Sequence, residues 1–194
     1  MDFNSIITDN AKVYGNAQVS LPAGSTFGEV GIYGNARIHG NANVFDNSKI
    51  SDNAQVSGRR WLQSTKVSGS AQISGAGSIQ NATVKDKAIV KESAQLFGGV
   101  VSEEAIVYGN SQVTGSDARV AGAAQVFGNS LINEGKISGR AQVYGEAQVA
   151  GTVAGLAQVY GQAVVQSTGS VLRTATVRGT AVISTEITFG DYWE

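Results

Sequence analysis

The sequence predicts an all-β chain wound as a single-stranded, triangular parallel β-helix of about ten coils. Three observations carry this. Ile32, Ile38, Val44, Ile50 and Val56 recur at every sixth residue, and small residues (Ala36, Ala42, Ser48, Ala54) stand four places after the first four. The hexads then group in threes, because only every third step varies. It is five at Leu62 to Val67, Ile79 to Val84, Leu96 to Val101 and Ile132 to Ile137, seven at Val113 to Val120, and four at Val149 to Val153. Coil starts at Ile50, Val67, Val84, Val101, Val120, Ile137, Val153 and Val171 are thus 17, 17, 17, 19, 17, 16 and 18 residues apart. A three-sided coil with one variable corner has this signature; a helix or coiled coil, with a period of 3.6 or 3.5, does not. Finally, the chain holds 25 Gly and one Pro without a Gly-X-Y triplet, which suits a backbone that turns every few residues.

Taken in order, Ile7, Val13 and Val19 open the array, with Ala11 and Ala17 in the small slots. LPAGSTFGEV blurs the pattern, and Pro22 suits an edge or cap segment where a missing N–H is tolerated. From Ile32 the hexads run to Ile183. Within one of them, strand alternation turns Val143 and Ala147 inward and Tyr144 and Gln148 outward, while Gly145 and Glu146 form the corner. Each coil buries its interior only against its neighbours, so the ends require caps. Residues 1–194 form one domain in this reading, with 1–6 and 189–194 as end caps or docking tails.

Composition narrows the function classes. A formal net charge of −1 argues against a DNA mimic and against nucleic acid as a partner, since both need a large field of one sign. The absence of Cys removes disulfides and thiolate metal sites. MDFNSIITDN has neither the basic region nor the apolar core of a signal peptide, and no apolar run approaches transmembrane length. A cytoplasmic protein without a membrane partner is expected.

An aliphatic residue with a small one four places on, repeated every six, resembles the hexapeptide-repeat proteins. The resemblance covers nearly the whole chain, and its VYGNAQV-like wording is most similar to arrays in bacterial and phage proteins, some of them labelled acyltransferases. It implies a left-handed β-helix, which the spacing alone does not. It also implies an alternative activity: such acyltransferases use a His general base in a cleft between subunits of a homotrimer, with acyl-CoA along the coils. The single His of this chain, His39, would be that base, and acetyl-CoA the cofactor. Against this, no long loop is inserted between coils and no helical segment follows them.

Register divides the outward positions among three faces. One collects Lys12, Lys49, Lys66, Arg119 and Lys136, with Ser51, Ser68, Ser102 and Ser138 beside them. A solvated face balanced by corner acids such as Asp52, Asp86, Glu103 and Glu104 is favoured there over an anion-facing stripe. A second face carries Tyr108, Phe127, Tyr144 and Tyr160 in one column and Gln125, Gln142 and Gln158 in the next. Arg37, His39, Ser57 and Ser74 continue it into earlier coils. Four aromatics on successive coils make an apolar strip about 15 Å long, the best candidate surface for a protein partner or self-association. The third face is mixed: Phe45, Trp61, Gln63, Phe97, Gln112 and Leu131. Here Arg60 occupies a slot that wants Ala, and is expected to turn outward or widen the corner. Arg59, Arg60 and Trp61 together would then meet a partner, a nucleotide or a phosphate. Metal clusters, a P-loop, GxSxG and the Ca²⁺-binding nonapeptide are absent from the sequence. The favoured reading is a non-enzymatic rod without a cofactor, which a phage-encoded interaction protein or inhibitor would fit.

Overall fold

A computed structural model describes residues 5–20 and 29–193. Three parallel sheets of eleven, eleven and ten strands form, and each strand pairs with the one three elements before and after it. The first sheet runs from Ser5–Ile7 to Glu186–Ile187, the second from Lys12–Val13 to Asp191–Trp193, and the third from Gln18–Ser20 to Val182–Ile183. This is a parallel β-helix with three faces and about ten coils. Among the described residues there is no helix.

The period that runs along the sequence becomes a column across it. Ile50 lies in register with Val67, Val67 with Val84, and Val84 with Val101. These residues and the small slots Ala36, Ala42, Ala54 and Ala71 are fully buried, forming one continuous core inside the triangle. The irregular step is the corner from the third sheet to the first, as at Leu62 to Val67. Its shortest form, Val149 to Val153, depends on Gly151, because a Cβ there would come within 2.1 Å of the Gly169 carbonyl. Residues 21–28, Pro22 among them, lie outside the described residues.

Corner acids do more than balance charge. Asp52, Asp86 and Glu103 sit at φ of 60°, 63° and 61°, a left-handed conformation that favours glycine. Each points its carboxylate along the axis to a main-chain N–H of the next coil: Gly69 N to Asp52 at 2.8 Å, Glu103 N to Asp86 at 3.1 Å, Gly122 N to Glu103 at 3.0 Å. These charge-assisted bonds offset the conformational strain. Asn10, Asn35 and Asn53 stack one place further on, linked amide to amide at 3.2 and 3.0 Å.

Ser5–Ile7 pairs with Val30–Ile32, and Asp191–Trp193 pairs with Thr176–Arg178. Residues 1–4 and 194 lie outside the described residues.

Two sequence expectations are corrected. Lys12 belongs to the second sheet, in register with Arg37, not with Lys49 and Lys66. Arg60 does not turn outward: it points inward and is 1% exposed. Room for it comes from Gly77, its in-register neighbour on the next coil, which leaves the small slot empty. The guanidinium passes that gap and donates to three main-chain carbonyls: Nε to Ser74 at 2.8 Å, Nη1 to Ala94 at 2.6 Å, and Nη2 to Ser74 and, at 3.2 Å, to Glu92. No carboxylate pairs with it among the described residues, and burial pushes its pKa down to about 10.

Candidate functional site

The aromatic column forms because parallel, in-register pairing repeats the side-chain position at the strand spacing. Gln125–Val126, Gln142–Val143 and Gln158–Val159 pair residue for residue, so the ring that follows each core Val falls directly over the last. Tyr108, Phe127, Tyr144 and Tyr160 stack with centroids 4.8 Å apart at every step and planes within 9°, 4° and 5° of parallel. Buried hydroxyls in the following small slots hold two of these corners: Ser111 donates to the Tyr108 carbonyl at 2.8 Å and Ser130 to that of Phe127 at 3.0 Å. Gln125, Gln142 and Gln158 form the adjoining column, headed by Ile106.

Stacking changes what the strip offers. Ring faces cover one another, and each of the four residues is half-buried. Outward lie ring edges, three hydroxyls and three amides, a regular polar-edged surface in place of a flat apolar one. Cations close the column at both ends, which the sequence reading missed. The Lys91 Nζ stands 5.0 Å over the Tyr108 ring. Arg178 follows Tyr160, lies 5.8 Å from the Trp193 ring and makes two bonds to Asp191, of 3.0 and 2.7 Å. Lys91 lies seventeen residues before Tyr108 and Arg178 eighteen after Tyr160, so the coil length was the signal that could have found them.

Burial raises the pKa of Tyr108 and of Tyr144; the negative charge of Glu92 adds to the first and Tyr160 to the second. The folded chain therefore holds protons that the unfolded chain has released above the ordinary value of 10.0, so stability should fall as pH rises through that range. In a spectrophotometric titration of tyrosinate, a late component is expected, and Tyr144→Phe should shrink it. An unchanged late component in that variant would count against this assignment.

His39 sits at the other end of the same column. Its ring is half-buried and stacks on Tyr14 at 5.0 Å and 12°. A groove of about 710 Å³ lies on the same sheet but is lined by Lys12, Arg37 and Gln55 with the Asn ladder, and does not include His39. No hydrogen bond to the imidazole is formed among the described residues, so nothing there fixes its tautomer for proton transfer. The third candidate group is split by the inward turn of Arg60. Arg59 is exposed at the corner, and Trp61 is 49% exposed and meets Phe45 edge-on at 4.4 Å. Paired arginines for a nucleotide or phosphate are therefore not presented.

Among the described residues, no group of three or more His, Asp or Glu side chains could hold a metal, and no helix is long and apolar enough to cross a membrane. No protein-family model matches the chain, and no curated protein matches it. The functional reading rests on the faces themselves.

Proposed function

We propose that this protein is a non-enzymatic β-helical rod that binds a protein partner, or further copies of itself, through the Tyr/Phe/Gln face. Kinship with the hexapeptide-repeat proteins, and the left-handed winding it implies, are part of the same proposal. The observation that carries it is the uninterrupted ladder from Tyr108 to Tyr160, with Gln125, Gln142 and Gln158 in register beside it. Rigid rings lose little conformational entropy on binding, and Tyr supplies contact area together with a hydroxyl, so such surfaces concentrate binding energy. Amides alongside supply donors and acceptors at a fixed repeat.

The test compares the wild type with Tyr144→Ser combined with Tyr160→Ser, in cross-linking within the source cell and in sedimentation of the purified chain. The paired substitution is expected to remove a cross-linked partner or a self-associated species; retention of every such species would sink the proposal. Acetyl-CoA is titrated in parallel by calorimetry. No heat is expected, whereas saturable micromolar binding lost in His39→Ala would transfer the reading to acyl transfer with His39 as base.

A further inference from the structure

The third sheet differs from the other two in charge. The first carries in-register cations, Lys49 beside Lys66 and Arg119 beside Lys136, and the second carries Lys12 beside Arg37. On the third, the outward positions flanking the core residues carry no charge from Gln18 to Val182; Arg59, at a corner, is the exposed charge in its strands. Charged residues are depleted where the centre of a protein interface forms.

The same sheet has matched relief. Trp61, on the third strand, stands out 49% exposed, braced edge-on by Phe45, which is itself buried. Five strands further on, a groove of about 390 Å³ opens around Gln148–Val149, the eighth strand, where Ala150 is small and Leu131 and Val164 form the walls. The midpoint between the third and eighth strands is also the midpoint of the ten-strand sheet, between Gln95–Phe97 and Gln112–Thr114.

We infer that two copies of this chain pack antiparallel through their third sheets, about a two-fold axis lying across the sheet between those two central strands. The operator brings the third strand of each copy onto the eighth strand of the other, so each Trp61 enters the groove of the other copy. The contact is self-complementary and made twice, as an isologous interface requires. Ten strands at about 4.8 Å spacing and a face about 15 Å wide give about 650 Å² per copy. The total of about 1,300 Å² reaches the size of a specific interface. A two-fold parallel to the coil axis would instead bring both Trp61 rings to one level and leave both grooves empty. This surface is separate from the aromatic ladder on the second sheet, and the inference does not depend on it.

Sedimentation equilibrium of the purified full chain tests the inference. A species of twice 20.0 kDa is expected at micromolar concentration. Trp61→Lys and Gln148→Glu should each weaken it by about 100-fold, as loss of a central aromatic anchor or burial of an unpaired charge does. Combined in one chain they should restore it, because under this two-fold the new Lys and Glu meet at both contacts. Tyr144→Ser with Tyr160→Ser should leave it intact, which separates this surface from the ladder. A wild type that stays at 20.0 kDa overturns the inference whatever the variants do. So does a dimer indifferent to both single substitutions, and dissociation without rescue in the pair overturns the antiparallel register.

Discussion

Replacing Gly77 with Ala should lower the unfolding free energy by about 3 kcal/mol, the upper range for forcing atoms into a filled interior at a strained backbone. A Cβ at this position would lie 2.7 Å from the Arg60 Nη1 and 2.8 Å from the Ala94 carbonyl oxygen, and the backbone is already at φ +131°. Arg60→Ala should cost about 2 kcal/mol. It strips the Ser74 and Ala94 carbonyls of a charged donor and leaves a void, while release of a desolvated cation offsets part of the loss. The two effects should not add. Once the guanidinium is gone, the Nη1 overlap disappears and the new methyl fills part of the void, so the double variant should lie at least about 1 kcal/mol above the sum. A urea-denaturation cycle over the four proteins measures this coupling. Additivity within about 0.5 kcal/mol would mean that Gly77 does not serve as the opening for Arg60.

The Arg60–Gly77 pair also shows where sequence reading stopped. The interior was legible because packing fixes it: one aliphatic and one small residue per hexad must recur, and from Ile32 to Ile183 the aliphatic residues with that period are buried. The variable corner was legible because insertions are tolerated at only one turn in three. Arg60 was misread because its slot was judged along the chain, whereas the space it fills is opened by a residue seventeen positions later, along the axis. Lys12 was misplaced because LPAGSTFGEV interrupts the period, so the phase of the residues before it is fixed by pairing with Arg37 and not by the hexads that follow. The aromatic column was found by register. Its cationic ends were not, since Lys91, over the Tyr108 ring, and Arg178, against Trp193, are charged positions that no hydrophobic pattern marks. Trp193 likewise sits on a closing strand, Asp191–Trp193, that departs from the aliphatic rule. Outward positions carry no packing requirement of this kind, so the pattern that fixes the fold leaves the partner open.

Phe127→Ala should cost about 3 kcal/mol, more than truncation of either terminal member of the ladder. Phe127 is stacked on both sides, 4.8 Å from Tyr108 and 4.8 Å from Tyr144, and its faces are covered although its edge is not. Two aromatic pairs contribute about 1 kcal/mol each beyond area burial, and the buried part of the ring adds a comparable amount. Removing it opens the column and wets the faces of both neighbours. The raised pKa of Tyr144 should then return toward its ordinary value, because burial is the larger of its two causes. Phe127→Tyr preserves the stack and should stay within about 0.5 kcal/mol of the wild type. Chemical denaturation reads the first effect and the tyrosinate titration the second, so the two can be set against each other. A large loss of stability with the Tyr144 shift abolished identifies the ladder as a brace that also presents a binding edge. If Phe127→Ala is nearly neutral while Tyr144→Ser with Tyr160→Ser abolishes binding through the ladder, the coils are held together by their core and corners alone. The aromatic column would then be retained for what it meets outside the chain.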